Sequence, residues 1–258
     1  VEELTELIRY RDLVRQLIHR NLTSRYKRSV LGIAWTMLNP LLTMAILALV
    51  FSQLFRFAVE NYVVYLLAGL VFWNFFGQTT TFAMNELVWG GSLLTRIYVP
   101  PAVFVVASLG TGLVNLLLSL IPLVVIMLVT GVPLTLSLLS VPAAIVLLAM
   151  FTIGVGLLMS TLALFFADVS DMYQIVLVAW MYLTPIIYPK EVLPESYRWL
   201  LTNFNPIYHL LEVFRTPFYH GWMAGPKTWG VATGVAVGSL IVGWYVFSRK
   251  SREFAYRV

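Results

Sequence analysis

Two series of small polar residues recur at helical spacing within apolar sequence. Gly32, Thr36, Asn39 and Thr43 form one, and Asn74, Gln78, Thr81 and Asn85 the other, each at steps of four, three and four. These steps put each set on one face of a helix. Amide and hydroxyl groups so placed can line a wet pathway for an uncharged polar cargo. They can equally hydrogen-bond one membrane helix to the next. Aromatic residues offer a second kind of surface, with Trp73, Phe75 and Phe76 in one group and Tyr173, Trp180 and Tyr188 in another. Tyr173 and Trp180 share a helical face. Flat rings can stack on the apolar faces of sugars, or they can fill a core or an interfacial belt.

Other chemistry is missing. No G-x-x-x-x-G-K-[ST] segment cradles a nucleotide phosphate, and no zinc-protease or nucleophile-elbow pattern occurs. Cysteine is absent, and His19, His209 and His220 lie in separate regions without metal-ligand spacing, so no metal site is expected. Asp168 and Asp171 are the one acidic pair grouped at a membrane face. A membrane-embedded transferase would need such a pair, but these two suit the N-terminus of a helix better. The chain therefore reads as a non-enzyme with no cofactor of its own.

The elements that must carry these residues are membrane helices. Charged residues are 11% and apolar residues 60% of the 258, against about 25% charged in an average soluble domain. A spanning helix needs about 20 apolar residues. The charge-free runs give six spans, at about 30–55, 62–85, 101–129, 136–166, 171–189 and 228–248. The third and fourth come from one long run, Ile97–Ala167, divided by the turn signal Thr130-Gly131-Val132-Pro133. Apart from Asp171 at the edge of the fifth, no Asp, Glu, Lys, Arg or His falls inside these spans. That argues against a proton-driven carrier, which uses such groups at depth. A sodium site built from backbone carbonyls stays open.

The net charge is +5, but the basic residues flank spans rather than forming a patch for nucleic acid. With the N-terminus inside, twelve of the 17 Lys and Arg residues fall on the cytoplasmic side and five outside, which predicts both termini cytoplasmic. The opening residues, Val1 followed by Glu2, Glu3 and Glu6, lack a signal-peptide layout, so none is expected there. Residues 4–20 read as an amphipathic helix in the interface, with Leu4, Leu7, Ile8, Val14, Leu17 and Ile18 on one side. Residues 1–28 thus form an interface helix with a basic approach, and 29–258 a six-span domain. Gly230, Gly234 and Gly238 predict close helix packing in the last span. Between the fifth and sixth spans, residues 190–227 are too charged to cross and too apolar for a loop. Divided at Asn205-Pro206, they read as a re-entrant helical hairpin entering from outside.

Three stretches carry a family resemblance: Arg25-Tyr26-Lys27-Arg28-Ser29-Val30-Leu31-Gly32-Ile33-Ala34-Trp35 with Asn39-Pro40; Thr184-Pro185-Ile186-Ile187-Tyr188-Pro189 with Leu193-Pro194; and Asn205-Pro206 with Phe214-Arg215. Together they resemble the membrane subunits of polysaccharide and polyol-phosphate ABC exporters, and most of all the O-antigen branch. Related branches export teichoic acid or capsule, and a small-molecule or drug exporter of the same superfamily is the other transport reading. One departure is Ala167-Asp168, where many relatives have Arg-Asp, so no role of that arginine carries over.

The resemblance implies a homodimer in the inner membrane, bound to two cytoplasmic ATPase subunits that hold the ATP and Mg. It also implies a continuous channel for a polysaccharide on polyprenyl diphosphate. On that basis Arg25, Lys27 and Arg28 are expected to clamp the diphosphate, although orientation and attraction of anionic membrane lipids would use the same charges. The channel is expected to be lined by Thr36, Asn39, Trp73, Asn74, Phe76, Gln78, Thr81, Tyr173, Trp180 and Thr184, with the third, fourth and sixth spans outside it. The segment Glu86–Pro100, with Gly90-Gly91-Ser92 as a flexible lead to Leu93, Leu94 and Arg96, is expected to dock on the ATPase. Leu201, Asn205, Pro206 and Ile207 are expected in an outer gate.

Overall fold

The computed structural model describes residues 9–26, 29–55, 61–94 and 99–256, and among these no strand occurs. The helices are α1 (Arg11–Tyr26), α2 (Trp35–Phe55), α3 (Tyr62–Leu94), α4 (Ala102–Thr130) and α5 (Val141–Phe165). They continue with α6 (Val169–Tyr182), α7 (Glu195–Phe204), α8 (Pro206–Tyr219) and α9 (Pro226–Lys250). Among the described residues five segments are long and apolar enough to cross a membrane: Gly32–Phe51, Tyr62–Val88, Ala102–Thr130, Leu136–Phe165 and Pro226–Lys250. They fall on α2, α3, α4, α5 and α9. The chain is a multi-pass membrane protein. The turn expected after Thr130 closes α4 with Gly131 at φ 74°, a left-handed position that suits glycine.

The segment 171–189 takes a different form from a plain spanning helix. α6 has 14 residues, about 21 Å of helix against a hydrocarbon core of about 30 Å. Pro185 lacks an N–H and disfavours helical geometry at Thr184, so the chain unwinds there. The freed carbonyls find side-chain donors. Tyr62 Oη donates to Ile187 O at 2.7 Å, and Tyr65 Oη lies 2.8 Å from Pro185 O and 2.9 Å from Tyr188 O. Arg215 Nη1 also donates to Pro185 O at 2.7 Å, and Asn205 Nδ2 to Leu183 O at 3.2 Å. Irregular backbone away from water is stable only when satisfied in this way.

α3 runs through the middle of the bundle and is the most enclosed of the long helices. It continues past the expected end at 85 to Leu94, straight through Gly90 and Gly91. The expected flexible lead is therefore helical. Leu87 is fully buried, and Arg20 of α1 pairs with Glu86 at 2.7 Å, so the last turns of α3 are held from the side. The amphipathic helix is also displaced from its expected limits. It runs to Tyr26, and residues 1–8 lie outside the described residues. Leu17 is buried beneath it in a small core with Phe104, Leu157, Phe247 and Phe254, while Arg11, Arg15 and His19 are exposed. This core and the basic ends of α1 and α9 mark the base of the bundle. Tyr62, Tyr65 and the unwound segment mark the opposite end.

The glycine stripe on α9 does not make the close packing expected of it. A Cβ at Gly230, Gly234 or Gly238 meets nothing within 4 Å. The tight crossing lies on the other side of the helix, where α9 meets α5. There a Cβ on Gly243 would come within 2.0 Å of Gly154 O, and one on Gly154 within 2.4 Å of the Ser239 carbonyl carbon. Spacing found glycines on the helix but not the face that another helix covers.

Candidate functional site

The polar face of α3 opens into a cavity of about 1070 Å³. Asn74, Gln78, Thr81 and Asn85 all line it, with Trp73 beside them. α4 supplies the facing wall through Ser108, Thr111, Gly112 and Asn115. α6 contributes Gln174, Leu177, Val178 and Met181. Arg20 and Glu86, already paired, stand with Asn21 and Ser24 at the basal part of the lining. Among the described residues, Arg20 and Glu86 are the only charged side chains that line it.

A side chamber of about 310 Å³ extends from this cavity between α2, α3 and α4. The two spaces share Asn74, Gln78, Thr79, Gly112 and Asn115. Thr36 and Asn39 of the first polar series line the chamber. Its wall depends on Pro40, whose missing N–H leaves the Thr36 carbonyl without its helical partner. Ser119 Oγ of α4 donates to that carbonyl at 3.2 Å.

The α4 wall departs from the expectation that the third span packs outside. Ser108, Thr111, Gly112 and Asn115 follow a three-four spacing, so a signal existed in the sequence. It was masked because these residues sit singly within a long apolar run. Ser108 and Thr111 spend their hydroxyl protons on Phe104 O and Ala107 O one turn back, at 2.9 Å each, which leaves their lone pairs for the cavity.

Among the expected lining residues, Thr36, Asn39, Trp73, Asn74, Gln78 and Thr81 are brought together on these two spaces. Phe76, Tyr173, Trp180 and Thr184 are placed elsewhere. Phe76 is fully buried, with its ring against those of Phe151 and Trp180 at 5.4 and 5.6 Å. Tyr173 is buried and donates to Thr80 Oγ1 at 2.7 Å. The aromatic face of α6 thus packs on α3, and the neighbouring face, with Gln174, Val178 and Met181, meets the cavity. Large rings gain most from burial, which is why this face turns inward.

At the end opposite the base, α7 and α8 are two short helices joined at Asn205 into a helical hairpin. Asn205 Oδ1 accepts from Ile207 N at 3.2 Å, capping α8, and from Trp180 Nε1 at 3.0 Å. Its Nδ2 reaches Thr184 Oγ1 at 3.0 Å as well as Leu183 O. Pro206 opens α8, Ile207 is buried beneath it, and Leu201 is half-buried on α7. One amide therefore joins the hairpin to the end of α6. Asn205→Ala is expected to cost about 1 kcal/mol through the lost cap alone. It should also speed labelling of a cysteine placed at Leu201 by an impermeant reagent. Asn205→Asp keeps the acceptor and loses the donor, so its labelling should fall between; equal rates in all three would show that the amide does not hold the hairpin.

α8 also carries the buried charge. Arg215, 5% exposed, donates to Glu212 Oε1 and places its guanidinium 4.0 Å from the Tyr65 ring centroid. Lys190 Nζ is 3.8 Å from the other oxygen of Glu212. Burial by itself would raise the Glu212 pKa, but the charges of Arg215 and Lys190 outweigh it and hold the carboxyl below its ordinary value. A lowered folded-state pKa stabilises above the ordinary carboxylate range, so this cluster is intact at neutral pH and is lost only on strong acidification.

Lys27, Arg28 and Arg96 lie outside the described residues, as do the side chains of Arg25, Leu93 and Leu94. The backbone places Arg25 in the last turn of α1, and Leu93 and Leu94 at the end of α3.

Comparison with known proteins agrees with this arrangement. Residues 12–219 match the family described as ABC-2 type transporter. The chain is 27% identical over 245 residues to the O-antigen export system permease protein RfbA of Klebsiella pneumoniae, covering 95% of this chain and 94% of that one. It is 28% identical over 251 residues to the protein of the same name from Myxococcus xanthus, covering 97% and 96%. A family match across most of the sequence, together with a bundle of apolar helices, identifies this chain as a membrane protein of the ABC-2 type transporter family.

Proposed function

We propose that this chain is the membrane subunit of an ATP-driven exporter that moves an O-antigen-type polysaccharide, carried on polyprenyl diphosphate, across the inner membrane. The observation that carries this reading is the cavity lining. Beyond the Arg20–Glu86 pair, the described residues that line it offer neutral amides, hydroxyls and apolar groups. That surface suits an uncharged, hydroxyl-rich cargo and lacks the ionisable groups a proton-coupled carrier uses. The names of the similar permeases support the same cargo.

In this reading two copies of the chain face each other across the pathway, and each binds a cytoplasmic ATPase subunit through Leu93 and Leu94 at the end of α3 and through Arg96 in the sequence that follows. The base faces the cytoplasm, and the hairpin around Leu201, Asn205, Pro206 and Ile207 closes the outer side. α6 and the unwound segment to Pro189 together make the sixth crossing. Ser170 Oγ contacts Met84 Sδ near one end, and Tyr62 reaches Ile187 at the other. Met84 and Tyr62 stand roughly 33 Å apart along α3, close to a hydrocarbon thickness. Six crossings put both termini in the cytoplasm. Arg25 in the last turn of α1, with Lys27 and Arg28 next in the sequence, is suited to a diphosphate.

The test is export in cells that lack their own permease, supplied with this chain and its ATPase. The wild type should restore surface polysaccharide. A double variant, Asn74→Leu with Thr81→Val, removes polar lining while keeping side-chain size. It should reduce export at least about tenfold, the effect of losing one or two hydrogen-bonding positions, at an unchanged membrane level. Full export by the double variant would remove the cavity from the pathway, and no export by the wild type would remove the function.

A further inference from the structure

We infer that the side chamber between α2, α3 and α4 is a binding subsite for one neutral sugar residue, distinct from the path along which a chain slides. The inference rests on the polysaccharide reading above and assigns a role to a space that reading does not need.

Among the described residues that line the chamber, none has an ionisable side chain. A phosphate or ammonium group entering it would lose its hydration without gaining a countercharge, so a charged ligand is disfavoured. Its polar atoms are also incompletely used. Thr79 is 5% exposed and its Oγ1 has no hydrogen-bond partner, and the same is true of the buried Oδ1 of Asn115. Both residues line the chamber and the larger cavity, at the join between them. Buried acceptors left without donors are costly and rare in a folded protein. A ligand bearing hydroxyl groups supplies the donors that are missing.

The wall around these atoms is built to hold them. A Cβ on Gly112 would come within 2.1 Å of Thr79 Oγ1, so only glycine leaves room for that hydroxyl against α4. Ser119 is already committed to the Thr36 carbonyl, which fixes the α2 side. Apolar surface is present as well, from Trp35, Phe75 and Val71. Ring hydroxyls on one side and C–H faces on the other are the mixed surface of a pyranose, which aromatic and amide groups meet together. At about 310 Å³ the space lies at the small end of ligand pockets. It accommodates one small ring rather than a length of chain. A sugar of a chain lying in the large cavity can enter sideways past Thr79 and Asn115 and be held there, while the rest of the chain stays in the wider space.

The experiment uses the chain in lipid nanodiscs and a panel of methyl glycosides: neutral hexoses, 6-deoxyhexoses, N-acetylhexosamines and one uronic acid. Binding is read by saturation-transfer NMR, with Thr79→Val and Asn115→Leu as variants and Thr152→Val, buried elsewhere, as control. At least one neutral glycoside should bind, the uronate should not, and each chamber variant should weaken binding by at least about fivefold, the scale of one neutral hydrogen bond. Thr152→Val should bind as the wild type does. If Asn115→Leu does not fold, Thr79→Val decides, since it keeps the side-chain shape. Absence of binding by every neutral glycoside means that the chamber holds water, and it overturns the inference. So does binding that survives both chamber variants. Cells expressing the wild type are assayed for export in parallel. Normal export with either negative result removes the subsite alone, whereas absent export removes the transport reading itself.

Discussion

Arg215→Ala is expected to prevent stable assembly. The guanidinium is buried, and it ties three elements together: Glu212 on its own helix, the Pro185 carbonyl of the unwound segment, and the ring of Tyr65 on α3. Removing it leaves the half-buried Glu212 with only the longer of its two ion pairs, to Lys190 at 3.8 Å. Breaking one partner out of a buried ion pair costs about 3–5 kcal/mol, a large part of a typical folding free energy. Arg215→Lys should rescue little, because an ammonium cannot reproduce the two-pronged geometry. The pair Glu212→Gln with Arg215→Met removes both charges and should recover part of the loss. Membrane abundance and thermal unfolding in nanodiscs measure these differences. Wild-type abundance and melting for Arg215→Ala would mean that the cluster is ornamental.

Gly243→Val carries the second large effect. The added Cβ would meet backbone oxygen at 2.0 Å, and backbone in a packed helix cannot swing aside as a side-chain tip can. α9 must then separate from α5, and overpacking of this kind costs about 3 kcal/mol or more. The same helix provides its own control. Alanine at Gly230, Gly234 or Gly238 meets no atom within 4 Å, so each should leave the folded protomer intact. The check is the melting temperature of the four variants side by side. If Gly230→Ala proves as damaging as Gly243→Val, the α5–α9 crossing is not where the stability resides.

Much of the architecture was legible because membrane burial acts on composition. Long charge-free runs became long helices, Thr130-Gly131 became a turn, and Asn205-Pro206 became the junction of two helices. The polar series on α3 could be read because small polar residues stand out against an apolar background at a fixed period. What could not be read was direction around a helix axis. Tyr173 and Trp180 were distinct by type, but type does not say whether a ring faces a cavity or a neighbouring helix. The glycines of α9 posed the same difficulty, since a small residue permits close approach without requiring it. The unwinding after Tyr182 was partly visible in Thr184-Pro185. The donors that stabilise it, Tyr62, Tyr65, Asn205 and Arg215, are distant in sequence, and no local pattern links them.

That dispersal has a consequence for biosynthesis. The chain emerges from the ribosome N-terminal end first. When Leu183–Tyr188 leaves the ribosome, Tyr62 and Tyr65 are already outside it, but Asn205 and Arg215 are still inside the exit tunnel. The Pro185 carbonyl then has one of its two donors, and the Leu183 carbonyl lacks Asn205. α6 therefore waits in an unfinished state until the following hairpin emerges and docks. A chain truncated before residue 205 and released from the ribosome should hold this region open to proteases or chaperones, and the step that completes it is the arrival of α8.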